Sequence, residues 1–159
     1  MLDTSLSISI RPSTEADVAA MLEIYGYHIQ HGLGPFDIGP LHAEELKRRR
    51  KAMLKRRLPH LVAEIGGVVV GYAYAAPFRK RPADRYTVEH SIYVHKDRQG
   101  LGIGRRLHEA FGFVRAGVLR SVGFKFGRWT DSVFLQRSLG EADAELPDDV
   151  RGGTVQAGD

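Results

Sequence analysis

The sequence predicts an α/β domain built on a mixed, mostly antiparallel sheet with flanking helices. Three observations favour this fold class: helical and β-rich runs alternate, a Gly-Gly dipeptide joins two β-rich runs, and another β-rich run leads through a glycine-spaced turn into a helix. With 159 residues, 43% hydrophobic and 26% charged, the chain has the composition of one globular domain. We expect this domain over residues 7–139, followed by a disordered acidic tail over residues 140–159.

The first strand and helix follow from local pattern. Residues 7–11 alternate as a short strand that Pro12 ends, and Thr14 with Asp17 three residues later is typical of a helix N-cap. Apolar side chains then recur at three- and four-residue steps until the helix ends near His31 and Gly32. This apolar stripe consists of Val18, Met21, Leu22, Tyr25 and Ile29.

A glycine- and proline-rich loop over residues 32–40 precedes a second helix over residues 43–58. The loop residue Phe36 has two interpretations, a core contact or a wall of a substrate pocket. The second helix is the most basic segment of the chain. We interpret its charges as a solvated face, because a nucleic-acid stripe would usually include stacking aromatic side chains, and this helix has none.

The sheet continues with a hairpin, since residues 61–65 and 68–75 flank the turn Gly66-Gly67. Residues 78–86 form a basic loop that is either solvated or able to dock a carboxylate or phosphinate. A central strand follows over residues 87–94. Two later strands, residues 113–120 and 132–136, are expected to complete the sheet around the segment 123–129.

Glycine occupies every second position from Gly100 to Gly104, directly after the central strand and at the start of a helix. Bare backbone N–H groups and a helix N-terminus make a phosphate site, although a simple strand-to-helix turn is the alternative. A P-loop is excluded because Arg105 and Arg106 follow, where that motif has Lys and Ser or Thr. A dinucleotide-binding loop does not fit either, since it would follow the first strand.

The pattern Gln99-x-x-Gly102-x-Gly104 resembles the pyrophosphate loop of the GCN5-related N-acetyltransferases (GNAT), and residues 87–94 and 122–129 resemble their phosphinothricin and methionine sulfone branch. The resemblance implies the GNAT acyltransferase fold and acetyl transfer from acetyl-CoA to the amine of a small amino-acid-like substrate. It also implies that acetyl-CoA binds to Ile92, Tyr93, Val94, Gln99, Gly100, Leu101, Gly102, Ile103, Gly104 and Arg105. Substrate contacts are expected from Phe36, Arg81, Arg85 and Tyr86.

Direct acetyl transfer needs a base for the amine and an acid for the departing thiolate. In the resembled branch, the base is the strand glutamate that corresponds to Glu89, and a histidine corresponds to His108. The alternative for Glu89 is an exposed side chain or half of an ion pair, but we expect a charge inside a core strand to be costly without a task. His108 is either the general acid or a structural histidine.

The resemblance has one gap. Members of the family run a helix, a strand and a further helix between the glycine loop and the Leu-His-Glu word, whereas Gly104 and His108 are almost adjacent here. A unit of roughly 30 residues is therefore missing from the pattern. Either the natural polypeptide holds more residues at this point, or a second chain supplies the missing neighbour of the central strand. A shortened, inactive or merely CoA-binding relative is the second interpretation of function.

Net charge and composition limit the classes of ligand and partner that the chain is expected to bind. A charge of +4 and a pI near 9.5 suit an anionic cofactor, and nucleic-acid binding is a third, minor interpretation. The chain has no cysteine, which excludes disulfides and thiolate metal sites. No basic, apolar leader opens the sequence. We expect a cytoplasmic homodimer with a small amine substrate, no metal and no membrane contact.

Overall fold

The computed structural model describes residues 7–31, 41–79, 84, 86–138 and 144. The helices and strands are, in chain order, β1 (Ile8–Pro12), α1 (Val18–His31), α2 (Ala43–Lys55), β2 (His60–Ile65), β3 (Val68–Pro77), β4 (Val88–Val94), α3 (Ile103–Phe111), β5 (Val114–Lys125) and β6 (Arg128–Gln136). Two short 3-10 turns lie between them, at Glu15–Asp17 and Lys96–Arg98. The predicted α/β fold class is confirmed.

The start of α1 is fixed by the predicted capping residues. The Asp17 carboxylate accepts hydrogen bonds from the Thr14 backbone N–H at 2.6 Å and from its hydroxyl at 3.0 Å. Arg11 donates to both oxygens of Asp17 at 2.8 Å and also to Glu64 on β2. This network joins β1, α1 and β2, and its hydrogen bonds lower the pKa of Asp17 to about 2.

The main sheet has four strands in the order β1-β2-β3-β4, and every pair in it is antiparallel. The predicted Gly-Gly hairpin is confirmed, with left-handed φ angles of 58° at Gly66 and 78° at Gly67. The predicted central position of β4 is wrong for the described residues. Strand β4 lies at the edge of the four-stranded sheet, with β3 as its neighbour.

Helices cover both faces of this sheet. The residues of α1 and α2 pack with Val62 and Tyr72 on one face, and α3 packs with Ala63 and Ala73 on the other. Gly71 allows α3 to approach β3 closely, since a Cβ there would lie 3.1 Å from the Ile103 Cγ2 atom. Both halves of the core therefore use the alternating sides of β2 and β3.

The last two strands correct a prediction, because β5 and β6 form a separate two-stranded sheet and do not complete the main one. They also run through the segment 123–129, with a turn at Phe126 and Gly127. The strands pair with each other, which satisfies the backbone groups on their facing edges without the main sheet. The hairpin leaves large apolar side chains exposed at Val114, Leu119, Val122, Phe124, Phe126, Trp129, Val133 and Phe134.

Two other boundaries differ from, or fall outside, the predicted ones. The helix α2 ends at Lys55, three residues before the expected end, because Arg57 takes a left-handed φ of 57° and the Leu58 N–H closes on the Met53 carbonyl. The predicted tail, residues 140–159, lies outside the described residues except for Ala144. The loop over residues 32–40 lies outside them entirely.

Candidate active site

The glycine turn stands at the N-terminus of α3, where the sequence predicts it. Gly100 and Gly102 have left-handed φ angles of 77° and 81°, which side-chain-bearing residues rarely adopt. Gly102 is the N-cap of α3, and the first intrahelical bond runs from the Arg106 N–H to the Gly102 carbonyl at 3.0 Å. The N–H groups before Arg106 have no partner within the helix, and such groups at a helix N-terminus suit an anion.

Side chains around this turn divide into exposed and buried ones. Gln99, Leu101 and Arg105 are exposed, whereas Ile103 is only 1% exposed and anchors the helix in the core. The Arg105 guanidinium reaches back over the turn, with its Nη2 atom 3.8 Å from the position of a Cβ on Gly102. Its positive charge therefore lies beside the bare backbone.

The strand β4 leads into this turn, and no described strand pairs with the edge of β4 opposite to β3. The His95 N–H donates to the Val70 carbonyl and the Phe78 N–H donates to the Thr87 carbonyl, which fixes the hydrogen-bonded pairs of β3 and β4. The backbone groups of Tyr93 consequently face β3, while those of Ile92 and Val94 face the open edge. His28 donates to the Val94 carbonyl at 2.7 Å from that side.

Glu89 is exposed, and this corrects part of the sequence argument. Burial of this charge in a core strand would cost free energy, but the side chain is in solvent, so there is no such cost. Its backbone pairs with Ala76. Because side chains alternate along a strand, Glu89 lies on the face of β4 opposite to His90.

His108 and His90 form a pair that sequence reasoning missed. Nε2 of His90 lies 3.1 Å from Nδ1 of His108, and the His90 ring stacks on Phe113 with ring centroids 3.9 Å apart. Burial lowers the pKa of both histidines, and the neighbouring His108 lowers that of His90 further. Strand alternation was the available signal, since it places His90 on the α3 face and Glu89 on the other. The structure therefore does not bring Glu89 and His108 together.

Of the expected substrate residues, Phe36, Arg81 and Arg85 lie outside the described residues. Tyr86 is described and is 48% exposed. Sequence reasoning also missed a cavity of about 170 Å³ beside α2. It is lined by Arg49, Arg50, Met53, His60, Tyr74 and Ala76.

The described part of the chain offers neither a metal site nor a membrane-spanning helix. Within it, no three His, Asp or Glu side chains are grouped so that they could hold a metal ion. None of its helices has both the length and the apolar character needed to cross a membrane.

Comparison with known proteins identifies the family. The family model described as the acetyltransferase (GNAT) family matches residues 27–111. The chain is 37% identical to a phosphinothricin N-acetyltransferase of Alcaligenes faecalis, over 88% of this chain and 87% of that protein. It is 33% identical to an L-methionine sulfoximine/L-methionine sulfone acetyltransferase of Salmonella typhimurium, over 84% and 96%.

A solved structure supports the same family, and an alignment length shows where this chain differs from a relative. The structure of a GNAT phosphinothricin acetyltransferase from Sinorhizobium meliloti in complex with acetyl-CoA matches with a TM-score of 0.76 and 32% identity, over 89% of this chain and 94% of that one. The alignment with the Alcaligenes protein spans 171 positions, more than the 159 residues of this chain, so the relative has a segment without a counterpart here. From the fold, the glycine turn and these matches, we conclude that the chain belongs to the GNAT acetyltransferase family.

Proposed function

We propose that this chain transfers an acetyl group from acetyl-CoA directly to the amine of a small amino-acid-like substrate of the phosphinothricin, methionine sulfone or methionine sulfoximine type. The observation that carries the proposal is the left-handed turn at Gly100 and Gly102, which joins the open edge of β4 to the N-terminus of α3. The names of the relatives, which describe acetylation of these amines, support the substrate class.

The residues of the turn fit the cofactor. When bound, acetyl-CoA supplies an acetyl group activated as a thioester. The first N–H groups of α3 would donate to its phosphate oxygens, and Arg105 would add positive charge. Within residues 99–103, Gly100 and Gly102 have no side chain, so the phosphates could approach the backbone there. Ile92 would present its backbone groups to the pantetheine arm, and Val94 its N–H, because the Val94 carbonyl already accepts from His28. Tyr93 would position both residues through its pairing with β3.

Glu89 and His108 would handle protons on opposite faces of β4. Glu89 would accept the ammonium proton directly or through a water, from the solvent side on which its carboxylate lies. His90 would donate from Nε2 to Nδ1 of His108, which leaves the proton of neutral His108 on its own Nε2. Neutral His108 would then donate a hydrogen bond from Nε2 to the departing thiolate, which takes its proton from solvent, and His90 would act as the positioning residue of His108.

Acetyl-CoA should raise the melting temperature, because a ligand that binds only the folded state stabilises it by about 2.7 kcal/mol at 100 times its Kd. The Gly102→Val variant should lose this shift, since its side chain disfavours the left-handed φ and projects at the anion site. Gly127→Val is the matched control, because Gly127 has a similar φ of 72° in the β5–β6 turn. A full shift in folded Gly102→Val would contradict the phosphate site.

Thiol release from acetyl-CoA tests the reaction itself. We expect release with phosphinothricin, methionine sulfone or methionine sulfoximine, and not with polyamines or peptide N-termini. A thermal shift without release from any amine would favour the shortened CoA-binding relative, which the unmatched segment of the Alcaligenes protein also favours.

We also propose a homodimer. One chain carries both an open strand edge on β4 and a hairpin with exposed apolar side chains, so a second copy offers each surface its complement. Light scattering should give twice the 17.7 kDa mass of the chain. Val133→Lys, at a position 55% exposed on the hairpin, should give the monomer mass. A monomeric wild type would contradict this assembly.

A further inference from the structure

The end of β4, between the strand edge and the glycine turn, is held by a side chain from α1. Nε2 of His28 lies 2.7 Å from the carbonyl oxygen of Val94. A carbonyl oxygen can only accept a hydrogen bond, so His28 carries a proton on Nε2 and donates it. The neutral ring in this tautomer and the imidazolium can both make the bond. It joins the last residue of β4 to the last turn of α1.

Aromatic neighbours fix the orientation of the His28 ring, which is half-buried. Its centroid lies 5.6 Å from that of Tyr27 in an edge-to-face contact and 6.0 Å from that of Tyr93. Tyr93 also packs against Tyr25 of the same helix, with centroids 5.0 Å apart. Because these contacts restrict the ring, the hydrogen bond to Val94 costs little further conformational entropy. The donor is therefore preorganised.

The residue that follows β4 contacts the same helix. Nδ1 of His95 accepts from the Asp97 backbone N–H at 3.2 Å, which places the proton of the neutral ring on Nε2. That Nε2 atom lies 3.6 Å from a carboxylate oxygen of Glu23 on α1. The helix α1 therefore contacts two consecutive residues at the exit of β4.

These contacts fix the spacing between two surfaces of the candidate active site. The open edge of β4 offers the backbone of Ile92 and the N–H of Val94, whereas His28 occupies the Val94 carbonyl. Only residues 95–99 separate Val94 from Gly100, and three of these residues form a 3-10 turn. A ligand that pairs with the strand edge must therefore leave it at Val94 and reach the glycine turn over a short, fixed span.

We propose that His28 is a positioning residue for acetyl-CoA, which holds the edge of β4 and the glycine turn at the spacing that one cofactor molecule needs to bind both. This inference rests on the proposed function for the identity of the ligand. A ligand with two linked halves gains affinity from the linkage only when its two subsites are correctly spaced. Loss of the His28 hydrogen bond should therefore weaken binding of the whole cofactor more than binding of its nucleotide half.

Three substitutions separate the hydrogen bond of His28 from its packing. His28→Phe keeps an aromatic ring and removes the donor. His28→Asn has an amide too short to reach the Val94 carbonyl, so it provides a second donor-free variant if His28→Phe does not fold. His28→Gln places an amide N–H near the position of Nε2 and should restore the bond. His31→Phe is the matched control, because His31 is exposed on α1 and its Nδ1 atom lies 3.2 Å from the Tyr27 carbonyl of the same helix.

Calorimetric titration with acetyl-CoA and with 3′-phosphoadenosine 5′-diphosphate, which lacks the pantetheine arm, measures the two affinities. We expect His28→Phe and His28→Asn to weaken acetyl-CoA binding about 10-fold, the effect of one net hydrogen bond. They should change the affinity for the nucleotide less than about 2-fold, because it needs only one of the two surfaces. His28→Gln and His31→Phe should bind both ligands like wild type.

Three results would overturn the inference. The donor-free variants could bind acetyl-CoA like wild type, they could lose the same factor for the nucleotide as for acetyl-CoA, or His28→Gln could bind as weakly as they do. The second result would indicate a defect of the phosphate site or of the fold, and the third would indicate that the ring matters and the hydrogen bond does not.

This inference and the proposed function can fail separately. The expected pattern of affinities without thiol release from acetyl-CoA would leave the positioning role standing and defeat the proposed reaction. Thiol release by wild type, together with equal acetyl-CoA affinities in all the variants, would leave the reaction standing and defeat the positioning role.

Discussion

Replacing Glu89 with glutamine should lower turnover at neutral pH by about 100-fold or more, the usual size of a general-base contribution. The carboxylate is exposed on the side of β4 away from the His90–His108 pair, and its strand partner Ala76 lines the cavity. Glutamine keeps the shape of the side chain and removes its ability to accept a proton. Thiol release and the acetyl-CoA melting shift should therefore separate, with the first lost and the second retained.

Glu44→Gln provides the control for this substitution, because Glu44 is 85% exposed on α2 and should tolerate the change with wild-type turnover. The pH profile of kcat/KM is the sharper readout. If Glu89→Gln keeps its turnover and its profile does not move, Glu89 is not the base, and the proton passes to another group.

Arg11→Met should cost about 3 kcal/mol of unfolding free energy, since it leaves the buried Asp17 carboxylate without its cationic partner. Arg11 also pairs with Glu64 at 2.6 Å, so the substitution removes two ion pairs at once. The same change at the exposed Arg48–Glu45 pair should cost less than about 1 kcal/mol. Urea unfolding of both variants measures the difference, and equal losses would show that the network contributes no more than a surface pair.

The network also predicts a pH dependence. Hydrogen bonds from Arg11 lower the pKa of Asp17 from 3.8 to about 2. A lowered carboxyl pKa stabilises the fold above the unfolded value and loses that contribution as the pH falls through the folded value. Wild-type stability should therefore fall between about pH 4 and pH 2 by about 2 kcal/mol from this group. Arg11→Met should lose most of this decline.

Local chemistry made much of the fold predictable. Thr14 and Asp17 marked a helix start, Gly66-Gly67 marked a hairpin, and Gly102 marked the start of α3; each signal acts within a few residues. The separation of β5 and β6 from the main sheet was not predictable in this way. Whether a hairpin joins a sheet depends on contacts between residues far apart in sequence, and the pattern of an apolar strand does not state which edge it meets.

In the candidate site, too, the features set by local sequence were predictable and those set by tertiary packing were not. The glycine turn could be read from spacing, because the backbone conformation itself requires glycine at positions 100 and 102. The cavity beside α2 could not be predicted, because residues 43–58 hold eight basic side chains and only tertiary packing brings Arg50 to Ser13. The pairing of His90 with His108 likewise depends on how closely α3 docks on β4, a distance that no local pattern contains.

The continuity of α3 has a mechanical consequence. One uninterrupted helix carries Gly104 in its first turn and His108 about 6 Å further along its axis. No loop lies between them to absorb a displacement. A rigid-body tilt of the helix would therefore move His108 relative to His90, so a displacement of the glycine turn would also displace one member of the histidine pair.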